Sequence, residues 1–249
     1  MTETSDKATI LLIHGAFTTS SDWEPVISHL DQSFHILAPD LPGHGSTGGT
    51  FTLDNAADAL HALIQESTVA SKAHVVGHSL GAQVAIRLAE KYPSVVDHMV
   101  ISGWEIYPSL PSSDRLSYIL WTMNRVENLA PRPAIRWLMD GTDIRRVSPS
   151  LELCRQFAET MKTATYPAAW PAPTLIIAAG RGGLVPSYDH PEDAKKLASI
   201  GKEMNDKTIA VTHPLMRHPW NRQDPLLFAN TVRGWIQGDY NVPAGFERL

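Results

Sequence analysis

The segment Gly77-His78-Ser79-Leu80-Gly81 constrains this chain of 249 residues more than any other feature. The apolar run 74–76 leads into it, and a helical pattern over 79–92 follows, stopping before Pro93. A serine at such a junction must sit on a tight, strained turn. Small residues two before it and two after it let the strand and the helix approach. The helix start also aims backbone N–H groups at negative charge developing beside the serine. Ser79 is therefore the candidate nucleophile, and the N–H of Leu80 is the first candidate oxyanion donor.

Around this turn, short apolar runs alternate with helical patterns. Residues 10–13, 34–38, 74–76 and 98–102 read as buried strands, and 54–66 carries Ala57, Leu60, Leu63 and Ile64 on one helical stripe. The alternation predicts an α/β fold with a mostly parallel central sheet flanked by helices. Between 105 and 170 the pattern changes. Amphipathic stretches at 116–129, 134–139 and 151–161, broken by Pro108, Pro111, Pro131, Pro133 and Pro149, predict a helical cap inserted in the sheet. Strand patterns resume at 174–179 and 208–212, and a closing helix covers 225–236. The expected core is thus 8–104 with 171–237, and 238–249 reads as a loose tail. No flexible linker separates cap from core, so 1–249 reads as one domain, a length that fits a single large core.

Composition narrows the function classes. A net charge of −5 leaves no electrostatic footprint for nucleic acid or an anionic membrane. Cys154 is the only cysteine, which excludes an intrachain disulfide and suits a reducing compartment. Residues 1–9 lack the basic start and apolar stretch of a signal peptide, and no apolar run reaches membrane-spanning length. A cytoplasmic protein with a small-molecule substrate and neither nucleic acid nor membrane as partner is expected. The 11 histidines show no paired Cys/His spacing of the zinc-site kind, so no metal and no cofactor are expected.

Two further pieces carry chemistry. His14-Gly15-Ala16-Phe17 directly follows the first strand, and the N–H of Ala16 can join that of Leu80 as an oxyanion hole. A general base for Ser79 must come from a loop after the last strand, where His213 and His218 both lie. His213 sits at the strand end, whereas His218 follows a loop long enough to reach back over the strand tips. His218 is therefore favoured.

Together with Asp22-Trp23, Pro39-Asp40-Leu41-Pro42-Gly43-His44-Gly45 and Pro225, these motifs resemble the α/β-hydrolase superfamily along almost the whole chain. The resemblance implies an oxyanion loop, a nucleophile elbow, a catalytic histidine, and scaffold roles for Asp40 and His44. Most relatives carry the acid after the strand that follows the cap, in a Gly-x-x-Asp-like turn. Here that turn reads Gly180-Arg181-Gly182-Gly183-Leu184-Val185-Pro186, without an aspartate. A minority place the acid after the preceding strand, where Ile101-Ser102-Gly103-Trp104-Glu105 offers Glu105. Glu105 is accordingly the expected acid, with Asp189 and Asp193 as further candidates.

A narrower resemblance involves Gly103-Trp104-Glu105-Ile106-Tyr107-Pro108 and Trp137-Leu138-Met139-Asp140-Gly141-Thr142-Asp143 with Arg146-Val147. These look like the cofactor-free 2,4-dioxygenases, which cleave 3-hydroxy-4-oxoquinolines with oxygen and release carbon monoxide. In that family a His–Asp dyad deprotonates the substrate. His218 matches the histidine and Trp137 a pocket tryptophan, but the dyad aspartate falls at Gly103. Phe17, His78, Trp104 and Trp137 are the expected substrate-binding residues, which points to an aromatic or apolar substrate. Four readings share the scaffold: a serine hydrolase of small esters or lactones, the dioxygenase, a lyase or C–C cleaving enzyme, and a ligand receptor.

Overall fold

The computed structural model describes residues 7–30, 34–68, 70–107, 110–143, 147–182 and 188–249. Residues 1–6, Pro108, Arg146 and Gly183, Leu184, Val185 and Pro186 of the glycine-rich turn lie outside the described residues. In chain order the elements are β1 (Thr9–Ile13), α1 (Glu24–Ile27), β2 (His35–Leu37), α2 (Leu53–Ser67), β3 (Ala73–His78), α3 (Leu80–Lys91) and β4 (Val96–Ser102). Next come α4 (Ser113–Leu129), α5 (Arg132–Leu138) and α6 (Leu151–Thr163). The chain then returns to the sheet through β5 (Thr174–Ala179), α7 (Pro191–Lys202), β6 (Ile209–His213), α8 (Trp220–Gln223), α9 (Pro225–Ile236) and β7 (Glu247–Arg248).

Among the described residues seven strands form one sheet in the order β2-β1-β3-β4-β5-β6-β7, and every pair is parallel except β6 with β7. Strand residues alternate between two cores, as a period of two requires. Leu11, Ile13, Val75, Met99, Ile101 and Ile176 pack on α2, α3 and α7. Ile10, Leu12, Val76, Val100, Leu175 and Ile177 face α9 through Phe228, Val232 and Trp235. Burial on both faces is why these strands are continuous apolar runs rather than alternating ones. Thr52, Ser150 and Asp224 cap α2, α6 and α9 by accepting the N–H of Asn55, Leu153 and Leu227. Pro93 ends α3, because a residue before proline is pushed out of helical conformation.

Residues between β4 and β5 are helical, with α4 packed along α6. One expectation is corrected, and one helix is added. The tail from Gly238 is docked rather than loose: β7 pairs with β6, Phe246 is buried against Trp220 and His213, and Leu249 donates to Ala210 O. Helix α7 was not anticipated, since its inward stripe of Ala194, Leu197, Ala198 and Gly201 is mostly small residues. Among the described residues no helix is long and apolar enough to cross a membrane.

Candidate active site

The chain enters β1, leaves for the edge strand β2, and returns to β3 on the other side of β1. This reversal opens a crevice outside the carboxyl ends of β1 and β3, where ligands of open α/β sheets bind. Ser79 stands there, directly after β3, with φ 56° and ψ −119°. A non-glycine residue in this region costs on the order of 1–3 kcal/mol and must be held by its surroundings. The holding contacts are visible. A Cβ on Gly77 would meet Gly81 O at 2.3 Å, and one on Gly81 would meet Ile13 O at 2.1 Å. Glycine at both positions lets β3, α3 and β1 close around the serine. The Ser79 N–H donates to Ser102 O at 2.8 Å, tying the turn to β4. Leu80 opens α3, so its N–H has no acceptor within the helix.

The loop after β1 lies against this turn: a Cβ on Gly15 would come 3.3 Å from Ser79 Cβ. His14 fixes the loop. Its Nε2 accepts the Leu41 N–H at 3.0 Å, so Nδ1 carries the proton and donates to Gly15 O at 2.8 Å. Burial lowers the His14 pKa, which keeps the ring in this neutral form. Ala16, His78, Ser79 and His218 line one cavity of about 30 Å³, together with Gly15 and Asn221. Asp40 supports the neighbouring turn, accepting the N–H groups of Ser20 and Ser46, and Asp22 pairs with Arg222.

His218 follows β6, and its Nδ1–H donates to Asp189 Oδ1 at 2.5 Å. This corrects the expectation for the acid: Asp189, not Glu105, faces the histidine. Asp189 is 1% exposed, donates its N–H to Ala179 O at 2.8 Å, and accepts the Ala179 N–H on Oδ2 at 2.7 Å. Ala179 and Asp189 are therefore bonded to each other at two points, backbone to backbone and backbone to carboxylate. This pairing places an aspartate at the tip of β5 although none lies in the turn itself. Glu105 is 7% exposed and otherwise engaged. Its carboxylate accepts the Tyr107 hydroxyl at 2.5 Å and the His190 N–H at 3.0 Å, so it braces the residue after Asp189. Desolvation and the Glu105 charge push the Tyr107 phenol above its usual range, keeping it a donor. Asp193 accepts from Tyr166 Oη and the Ile106 N–H and does not reach His218. His213 packs against Phe246, away from Ser79.

Gly103, which the sequence marks only as the place where a dyad aspartate is missing, borders His218 itself. Its φ is +69°, and a Cβ there would lie 2.6 Å from His218 Cε1 and 2.9 Å from Nδ1. The absent side chain is what lets the imidazole lie over the end of β4.

The expected substrate-binding residues separate in space. His78 lines the cavity with Ser79, its ring centroid 4.8 Å from that of His218. Phe17, next to Ala16, packs edge-on against Phe157 and lines a groove of about 530 Å³ with Leu120, Met123 and Val126 of α4. Trp104 is buried against Tyr166 and borders a different cavity, of about 560 Å³, between α3 and α6. Trp137 is 77% exposed. The inward residue of α5 is Ile135, and two helical steps of about 100° each turn position 137 to the opposite side. Trp104 and Trp137 thus lie outside the cavity at Ser79.

A family model described as the alpha/beta hydrolase family matches residues 10–237. This chain belongs to that family. The hydrolase is similar to an AB hydrolase superfamily protein of Gibberella zeae, with 32% identity over 241 residues, 96% of this chain and 83% of that protein. Its fold is shared with the enol-lactonase of Burkholderia xenovorans, at TM-score 0.71 and 17% identity over 93% of this chain and 92% of the other. It is shared also with a thermophilic esterase of Thermogutta terrifontis, at TM-score 0.71 and 20% identity over 94% and 91%. Membership makes the chain an enzyme with a small-molecule substrate. The match is to the superfamily, and the narrower dioxygenase resemblance draws no support from it.

Proposed function

We propose that this hydrolase cleaves a small carboxylic ester or lactone through Ser79, His218 and Asp189. The observation that carries the reading is the held imidazole. Asp189 accepts a hydrogen bond from the Nδ1–H of His218, which leaves Nε2 as the proton acceptor, in a cavity shared with Ser79 and Ala16. Ser79 Oγ attacks the carbonyl carbon as its proton passes to His218 Nε2, and the carbonyl oxygen becomes an oxyanion facing the N–H groups of Ala16 and Leu80. Collapse breaks the bond to the alkoxy oxygen, which takes the proton from His218 and leaves as alcohol. Water, deprotonated by the same nitrogen, then releases the acid and restores Ser79. Asp189 stabilises the imidazolium in both halves without itself taking the proton.

Helices α4 to α6 are the cap in this reading. The groove under α4, bordered by Phe17, Leu120, Met123 and Val126, supports an apolar or aromatic substituent on the substrate. The test is turnover of p-nitrophenyl esters and a lactone, with fluorophosphonate labelling, in wild type, Ser79→Ala, His218→Ala and Asp189→Asn. Turnover and labelling that both vanish in Ser79→Ala support the proposal. Oxygen-dependent loss of a 3-hydroxy-4-quinolone that survives Ser79→Ala but not His218→Ala would overturn it.

A further inference from the structure

At the opposite end of the sheet from Ser79, where β3 and β4 begin, two histidines converge on one carboxylate. His74 Nδ1 lies 3.5 Å from Asp97 Oδ2, and His98 Nδ1 lies 3.4 Å from the same oxygen. The two rings meet edge to face with centroids 5.1 Å apart, and the three donor atoms all lie within 4.8 Å of one another. His74 is 8% exposed, and among the described residues both Nδ1 atoms are buried without a hydrogen-bond partner. Charge-assisted N–H···O bonds run about 2.7–2.9 Å, so these separations are too long to be two such bonds. They do match the edge of a tetrahedron of N and O ligands around one ion, about 3.3 Å for metal–ligand bonds of about 2.0 Å.

The outer contacts suit the same purpose. His98 Nε2 is 2.7 Å from Tyr240 Oη, so that nitrogen can carry the proton and donate to the phenol, turning the Nδ1 lone pair inward. A ligand histidine is regularly fixed in this way by its other nitrogen. The Asp97 side chain is 50% exposed, which provides an entry path and room for a water as fourth ligand. Two imidazoles with one carboxylate are a borderline donor set, suited to Zn²⁺ and its neighbours rather than to the all-oxygen preference of Mg²⁺ or Ca²⁺.

We propose that His74, Asp97 and His98 form a binding site for one divalent transition-metal ion of the Zn²⁺ class, separate from the Ser79 centre. Tyr240 also packs against Trp235 of α9 at a 5.0 Å centroid distance. A bound ion would thus tie the starts of β3 and β4 to the docked tail. Its role is structural, far from the reacting atoms. Sequence spacing could not signal the site, because its ligands come from two strands paired only by the fold.

The experiment uses untagged protein stripped with a chelator, titrated with Zn²⁺ against a competing fluorescent chelator and with Co²⁺ for its visible absorption. Wild type should bind one equivalent, give a tetrahedral Co²⁺ spectrum, and gain melting temperature with Zn²⁺. Asp97→Asn and His98→Gln should each weaken binding at least about ten-fold and lose the Zn²⁺-dependent rise in melting temperature. Asp97 is half-exposed, so that variant keeps the test open if the histidine variant folds poorly. His218→Ala should bind as wild type does. Failure of wild type to bind, binding unchanged in both ligand variants, or loss of binding in His218→Ala would each overturn the proposal.

Discussion

Asp189 holds His218 Nδ1 at 2.5 Å on one carboxylate oxygen and the Ala179 N–H at 2.7 Å on the other. Both oxygens are thereby fixed at the tip of β5, out of solvent. Asp189→Asn keeps the shape but removes the charge and one acceptor, so the imidazole loses its tautomer preference and its charge partner. The expected result is a fall in kcat of about 10³–10⁴ with little change in KM. Glu105→Gln should behave differently, since its oxygens serve Tyr107 and the His190 backbone and the amide keeps one acceptor. A loss of less than about ten-fold is expected, against the two to four decades that follow from disabling a catalytic group. Steady-state kinetics on both variants decide the assignment; equal losses would move Glu105 into the catalytic unit.

Gly103 gives a sharper test of how His218 is seated. A methyl there would stand 2.6 Å from the ring at a backbone φ of +69°. Strain of about 1–2 kcal/mol follows from the left-handed conformation alone. The ring must also move, and a displacement near 1 Å in a catalytic group is worth about 10² in rate. Gly103→Ala should therefore lose activity far more than stability. Turnover measured beside denaturant unfolding checks this, and full activity in the variant would mean that the imidazole sits elsewhere during turnover.

The two tryptophans once grouped as pocket residues should part company. Trp137 faces solvent on α5, so Trp137→Ala should change stability by no more than about 0.5 kcal/mol and leave KM unaltered. Trp104 is buried against Tyr166, and Trp104→Ala should cost about 3–5 kcal/mol. Urea unfolding separates these expectations directly. A large KM effect in Trp137→Ala would instead require α5 to turn its outer face over the site.

These contrasts show what a sequence can and cannot carry. Strands β1 and β5 were legible because burial on both faces writes a nearly unbroken apolar run, and β3 and β4 through their buried apolar stretches Val75–Val76 and Met99–Ile101. The strained turn at Ser79 was legible because its glycines are demanded by backbone atoms only four residues or one strand away. Asp189 was weakly legible. An acid needs only to be near His218 in space, and Asp189 is held at Ala179 by hydrogen bonds rather than by a local motif. Trp137 misled because composition says nothing about which side of α5 faces inward; Ile135 does. The tail docks through Phe246 and Leu249 on partners far away in sequence, which no local pattern announces.

His44 makes a prediction about pH. Burial is the largest influence on it and, with the nearby His14, lowers its pKa from 6.5 to about 4. Between those values the unfolded chain binds a proton that the folded chain refuses, so stability rises with pH across this window and is lost as pH falls through it. For His44 alone the loss is about 2 kcal/mol by pH 5, a drop of roughly 4–8 °C in Tm for a chain of this size. His14 acts in the same direction, because protonating its Nε2 would expel the Leu41 N–H it accepts. Thermal unfolding between pH 7 and pH 5 should show this decline, and His44→Gln, which cannot charge, should flatten part of it. A wild-type Tm that stays level over that range would mean that His44 charges inside the fold. The turn from Pro39 to Gly45 would then have to open to water at its base.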